Sequence, residues 1–365
     1  MSDISAKLFE AWLIRWNLVP NGKPIRTHAS HLLPVLQGSA PAMLKLPEIE
    51  DERRGYLPLE YWNGDGAARL LARSENGEAM LIERATGRRS LAAMARSGAK
   101  GDDAATVILC DAIAALQKPR GPAPTGLIAL NTWFRDLFPA AAKHGGMLAR
   151  AAAEASMLLP AQQEILPLHA DLHHDNVLDF EARGWLAIDP KSVIGDRAFE
   201  YTILFCDPDL ADPEPPVAVA TGAFERRLEI VLAKSGLERQ RLLRWIIAWC
   251  GLSASWFLED EDPLAEINLA VAERAIVVGD PGRALELAQS LLDKPLMSNH
   301  QRGLWGYSGT AADGAALTIQ STGTGGPSLM KLAASGASAA TGRSRPPREA
   351  LSIQCTEWAG SNPVS

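Results

Sequence analysis

In the first part of the chain short apolar runs are separated by turn-forming residues, which is the pattern of strands. Thr27–Leu36 and Met43–Leu46 read as two strands separated by the turn Gln37-Gly38-Ser39-Ala40-Pro41. Glu50–Asn63 reads as a helix interrupted or kinked at Pro58, because proline removes a backbone donor. Arg69–Arg73 and Ala79–Glu83 flank Glu75-Asn76-Gly77, and Asn-Gly between two apolar runs signals a hairpin. Residues 1–85 therefore predict a small sheet with one helix.

From Asp102 the period lengthens to helical spacing, with Ala105, Ile108, Leu109, Ala112, Ile113 and Leu116 on one face. Pro119–Gly126 reads as a loop, and Leu127–Phe138 and Met147–Leu159 as helices. Between Ile165 and Asp189 the pattern turns strand-like, with Val177–Phe180 and Trp185–Ile188 forming a second hairpin through Glu181-Ala182-Arg183-Gly184. Helical periodicity then returns at Ala223–Lys234, Arg239–Leu258, Ala265–Val278 and Arg283–Leu292.

Past Asp293 the pattern dissolves. The last 73 residues hold ten Gly and ten Ser and show no helical stripe, so residues 293–365 are expected to be a low-complexity, disordered tail. The expected division is 1–85, 86–292 and 293–365. Acids outnumber bases by 43 to 36, which argues against a broad nucleic-acid footprint. Cys110, Cys206, Cys250 and Cys355 lie far apart without CxxC spacing, excluding a disulfide scaffold. The start of the chain lacks a continuous apolar segment with a cleavage site, and Leu242–Leu258 is interrupted by Arg244 and polar residues. A cytoplasmic protein is expected, with no nucleic-acid, membrane or obligate protein partner.

The informative chemistry lies in His169-Ala170-Asp171-Leu172-His173-His174-Asp175-Asn176, followed by the hairpin and Asp189. Asn176 and Asp189 are oxygen ligands brought together across a hairpin, which suits Mg²⁺ shared with substrate phosphates. Asp171 can then orient an attacking hydroxyl and accept its proton. Upstream, Lys45 sits inside an apolar strand and can hold nucleotide phosphates; the plain alternative is a strand-edge lysine whose stem covers apolar surface. A zinc reading of His169, His173 and Asp175 needs a helix, and the run lies between strand-like segments.

These residues carry a resemblance. HADLHHDNVLDF and GWLAIDPKSVIGD, with PAMLKL upstream and LLRWIIAWCGLSASWF downstream, resemble the aminoglycoside 6-phosphotransferases of the aminoglycoside and hydroxyurea kinase family, over about residues 12–292. The resemblance implies a protein-kinase-like, two-lobed α+β fold with a small β-rich N-lobe and a mostly helical C-lobe. It implies ATP-dependent phosphorylation of the 6-hydroxyl on the streptidine ring of streptomycin, with ATP and Mg²⁺ as cofactors; hydroxyurea or another hydroxylated acceptor, or an impaired nucleotide-binding protein, are the alternatives. It makes Asp171 the base, Asn176 and Asp189 the metal ligands and Lys45 a phosphate contact. Glu52 best fits the acid that holds Lys45, with Glu50 and Glu60 open. Glu83 to Ala85 would be the hinge where adenine meets backbone. Thr27-His28-Ala29-Ser30 takes the place of a glycine-rich loop.

A polycationic aminoglycoside calls for carboxylates, and Asp207, Asp209, Glu259 and Asp260, with Asp262 nearby, are the candidates. Without the tail, 39 acids face 30 bases. Trp245, Trp249, Leu252 and Trp256 share a helical face and read as core rather than pocket. His169 is expected to brace the catalytic loop, with Glu200 and Asp196 supporting it. Three positions depart from the family pattern: Ala170 and Ser192 stand where glycine is usual, and Gln117 where histidine is frequent.

Overall fold

The computed structural model describes residues 3–279, 292–299, 306–311, 316–320 and 351–354 of the 365. Helix α1 (Asp3–Arg15) leads into β1 (Leu18–Pro20), β2 (Ile25–Arg26), β3 (Ser30–Gln37) and β4 (Ala40–Pro47). Helices α2 (Glu50–Arg53) and α3 (Tyr56–Trp62) follow, then the hairpin β5 (Leu70–Arg73) and β6 (Met80–Glu83). The strands form an antiparallel sheet of order β1-β3-β4-β6-β5, with β2 also on β3. Alternation along β4 sends Ala42, Leu44 and Leu46 into a core shared with Phe9 of α1. Lys45 lies on the other face, directly across from Met80, whose side chain belongs to the core continuing into the C-terminal region. That alternation is why one lysine in an apolar strand reaches the inside of the cleft.

The helix expected over Glu50–Asn63 is two helices. The break falls at Arg54-Gly55 instead of at Pro58. Pro58 is the third residue of α3, where its missing N–H has no intrahelical carbonyl to bond, so it does not disturb the helix. The break lets Arg54 turn its carbonyl outward, and Ser192 Oγ donates to it at 2.7 Å.

The C-terminal region begins with α4 (Leu91–Ala95) and α5 (Ala99–Leu116). The expected helix over Leu127–Phe138 is also divided: Ile128–Ala129 is strand β7, followed by α6 (Leu130–Trp133), α7 (Leu137–His144) and α8 (Gly146–Leu158). Strand β8 (Ile165–Leu168) precedes the loop 169–176, β9 (Val177–Asp179) and β10 (Trp185–Ala187) form the second hairpin, and β11 (Val193–Asp196) lies between β7 and β8. Ile128 is drawn into extended form because it pairs with Val193, far along the chain. Then come α9 (Ala223–Ser235), α10 (Arg239–Glu259) and α11 (Ala265–Gly279).

Helix α10 is the centre of this half. Trp245 is fully buried against Phe134 and Phe199, with Trp249 stacked edge-on to Phe199, so the tryptophan stripe is core. Gly251 lets α8 approach: a Cβ there would stand 2.1 Å from that of Ala151. Of the tail, the segments Leu292–Asn299, Gly306–Ala311, Ala316–Gln320 and Leu351–Gln354 are strands β12 to β15, which pair with one another in that order. The remainder of the tail, and the helix expected over Arg283–Leu292 up to residue 291, lie outside the described residues.

Candidate active site

The loop after β8 is held from beneath. Buried Glu200 accepts hydrogen bonds from the backbone N–H groups of His169 (2.6 Å) and Ala170 (3.0 Å). Burial pushes the Glu200 carboxyl up to about 7, against the pull of those two donors. The His169 ring stacks on Trp62 and places Nε2 2.6 Å from the carbonyl oxygen of Ile188. Burial depresses its pKa to about 3, so it is a neutral imidazole donating that bond. His169 and Glu200 thus brace the loop as expected. Among the described residues no group of three or more His, Cys, Asp or Glu side chains is placed to hold a metal, so His173 and Asp175 do not join His169 in a zinc site.

Ala170 occupies left-handed backbone at φ 60°. An alanine there costs about 1 kcal/mol relative to glycine. The kink turns Asp171 away from β8. Asn176 Nδ2 donates to the Asp171 carbonyl at 2.7 Å and more weakly to its Oδ2 at 3.3 Å. Burial raises the Asp171 carboxyl above the usual range, which strengthens it as a proton acceptor.

Asp189 and Ser192 are likewise left-handed, at φ 61° and 57°, so the stretch Asp189-Pro190-Lys191-Ser192 is a tight turn. The Lys191 N–H donates to the His169 carbonyl at 2.9 Å, fastening this turn to the catalytic loop. Lys45 Nζ contacts both Glu52 Oε2 and Asp189 Oδ1. Glu52 is thus the acid on Lys45, and it is buried. Glu50 lies near Arg53 and Arg54 and Glu60 binds Arg73, so both are occupied elsewhere. Burial works to raise the Asp189 carboxyl, but Lys45 and Lys191 outweigh it and hold the group below the usual range.

The donor set fits Mg²⁺. The amide oxygen of Asn176 and Oδ2 of Asp189 have no hydrogen-bond partner among the described residues, and both are hard oxygens. At the expected hinge, the Glu83 carboxylate accepts from Arg69 N at 3.1 Å and pairs with Arg183, while its N–H bonds Arg69. The Arg84 N–H is bonded to Pro41, whereas that of Ala85 carries no bond among the described residues. Thr27 and Ser30 close a tight turn at the tip of β3.

The acceptor candidates separate. Asp207 is buried, with its carboxylate 3.8 Å from Nδ1 of His173 in the catalytic loop, and burial pushes it up to about 6. Asp209 is not brought to the site: its carboxylate accepts from the N–H groups of Val217, Ala218 and Val219, so it fastens the loop that follows. Glu259 and Asp260 are exposed at the far end of α10, beyond Trp256, whose indole donates to Asp136. No hydrogen bond or ion pair joins them to the catalytic loop among the described residues. Asp196 accepts from Gln163 and Ala198 and pairs with Arg241. Gln117 donates to the Arg197 carbonyl and accepts from Tyr201.

Sequence reasoning missed Lys191. Its Nζ lies 2.6 Å from Glu52 Oε1 and 3.6 Å from Asp171 Oδ2. Burial opposes its charge, but Asp171, Glu52 and Asp189 together hold the ammonium above the usual lysine range. The available signal was a cation two residues past Asp189, within a turn already assigned to the metal.

Residues 15–261 match the family model described as aminoglycoside/hydroxyurea antibiotic resistance kinase. A streptomycin 3''-kinase of Klebsiella pneumoniae is 52% identical over 260 residues, spanning 70% of this chain and 96% of that protein. A streptomycin 6-kinase of Streptomyces glaucescens is 32% identical over 283 residues, spanning 73% of this chain and 88% of its own. Among solved structures, a choline/ethanolamine kinase family protein of Mesorhizobium loti superposes with a TM-score of 0.52 at 14% identity, over 74% of this chain and 94% of that one. The last likeness supports the kinase-like, two-lobed fold, and the sequence matches go further: the chain belongs to the aminoglycoside/hydroxyurea antibiotic resistance kinase family.

Proposed function

We propose that the protein transfers the γ-phosphoryl group of ATP to a hydroxyl of streptomycin. The observation that carries the chemistry is the convergence of Lys45, Glu52 and Asp189 on one side and Asp171 and Asn176 on the other. Lys45, held by Glu52, takes up the nucleotide phosphates. Asn176 and Asp189 would hold Mg²⁺, which neutralises charge on the phosphates when bound. Adenine bonds to backbone near Ala85. Asp171 accepts the proton as the acceptor oxygen bonds to the γ-phosphorus and the bond to the ADP oxygen breaks. Asp207, buried behind His173, receives a cationic group of the acceptor. ATP is a cytoplasmic substrate, so the cytoplasm is the proposed compartment; no helix among the described residues is long and apolar enough to cross a membrane.

Streptomycin as acceptor is supported by the two named relatives. On the hydroxyl they differ: the 6-hydroxyl, expected from sequence, agrees with the Streptomyces protein, whereas the more similar Klebsiella protein favours a second reading, the 3''-hydroxyl. Mass spectrometry of streptomycin incubated with Mg-ATP, beside the Asp171→Asn variant, tests the transfer. One added phosphoryl group, reduced with the variant to a small residual rate, is expected; phosphorus–proton NMR of the product then assigns the position. An unmodified drug would refute the acceptor, and a fully active variant would remove Asp171 from the mechanism.

A further inference from the structure

We propose that Lys191 is a positioning residue for phosphoryl transfer, fixing the Asp171 carboxylate and joining it to the Lys45–Glu52 pair. The inference rests on the kinase reading above but not on the identity of the acceptor.

The turn that carries Lys191 is fixed at both ends. Its own N–H is bonded to the His169 carbonyl of the catalytic loop, and Ser192 Oγ is bonded to the Arg54 carbonyl at the end of α2. Two left-handed residues and Pro190 leave the backbone little freedom in between. The Lys191 side chain is thereby aimed across the gap between α2 and the loop, with 27% of it exposed. Glu52 divides its oxygens between two lysines: Oε2 on Lys45, Oε1 on Lys191. Lys191 in turn meets Asp171 at Oδ2, the same oxygen that Asn176 approaches. Both restraints on the carboxylate fall on one oxygen. Oδ1 is left without a hydrogen bond among the described residues and is the atom free to take the acceptor proton.

Charge leads to the same assignment. Three carboxylates, Glu52, Asp171 and Asp189, share two ammonium groups. Lys45 serves Glu52 and Asp189, and of the two only Lys191 reaches Asp171. Were phosphate and metal to engage Lys45 and Asp189, Lys191 would still tie Glu52 to Asp171. It therefore carries the state of the nucleotide side to the base. A displacement of the base of about 1 Å costs roughly 100-fold in rate.

The test is a double-mutant cycle between Lys191→Met and Asp171→Asn, with Lys191→Arg as the conservative variant, read as steady-state phosphorylation over a range of Mg-ATP concentrations up to saturation. Lys191→Met is expected to lower kcat roughly 10- to 100-fold with the KM for ATP within about threefold. Lys191→Arg should restore a substantial part. In the Asp171→Asn background Lys191→Met should cost nothing further, because it acts through the group already lost. Losses that multiply would overturn the proposal, as would a raised KM for ATP at unchanged kcat, which would make Lys191 a phosphate contact. If the wild-type chain leaves streptomycin unmodified, the acceptor assignment fails on its own, and the same cycle is read on Mg-ATP hydrolysis.

Discussion

Replacing Arg227 by methionine should unfold the helical region more readily and loosen the proposed acceptor side around Asp207. The guanidinium is fully buried and every one of its nitrogens is used. Nε and Nη2 donate to Asp102 at 3.0 and 2.7 Å, and Nη1 donates to the carbonyls of Leu204 (2.6 Å) and Asp207 (2.7 Å). Asp102 is itself only 1% exposed and would keep a single partner, Arg226, at 3.3 Å. Stranding one member of such a pair costs about 3–5 kcal/mol. At roughly 2–4 °C per kcal/mol for a domain of this size, the midpoint should fall by about 10 °C. A companion variant, Asp102→Leu with Arg227→Met, removes the stranded charge and should recover part of that loss. Both are read by thermal unfolding monitored by circular dichroism. Because Leu204 and Asp207 lose their tether, the KM for streptomycin should rise several-fold in Arg227→Met at 20 °C with the KM for ATP unchanged. A midpoint within about 2 °C of wild type, or a double variant that loses the full sum of the single effects, would refute the reasoning.

Three further changes test other parts. Ala170→Gly relieves left-handed backbone at φ 60° and should stabilise by about 1 kcal/mol, a rise of roughly 2–4 °C; a fall in midpoint would show that the alanine methyl contributes more by packing than it costs in strain. Gly251→Ala forces a Cβ to 2.1 Å from that of Ala151 and should cost about 1–3 kcal/mol by separating α8 from α10, measured by urea unfolding; unchanged stability would refute that close approach. Burial pushes the Asp207 carboxyl up to about 6, and the cationic acceptor proposed for it would need it ionised. The KM for streptomycin should therefore climb as pH falls through 6, and Asp207→Asn should flatten that rise while leaving ATP binding alone. Its folded pKa exceeds the unfolded value, so its contribution to stability is full below about 4 and is lost as pH rises through 6. A wild-type acceptor KM that stays flat from pH 7 to 5 would exclude Asp207 from acceptor binding.

What could be read from sequence divides by the range of the interactions involved. The hairpins at Asn76-Gly77 and Arg183-Gly184 follow from turn chemistry and alternation within a few residues, and both are present. Asp171 and Asn176 were legible because they lie five residues apart in one loop. The breaks in the helices were not, because their causes lie elsewhere in the chain: Ile128 becomes a strand by pairing with Val193, and Arg54 leaves its helix to meet Ser192. Asp209 and Asp207 look alike in sequence, yet one is consumed by three backbone N–H groups eight to ten residues on and the other faces His173. Lys191 is the strongest case. Its partner Glu52 is 139 residues away, and no local period or spacing marks a lysine whose role depends on that distance being closed. The short-range motif therefore identifies the atoms proposed to react, while the long-range ion pairs decide where those atoms are held. The second set of residues is where substitutions should change kcat without altering the motif at all.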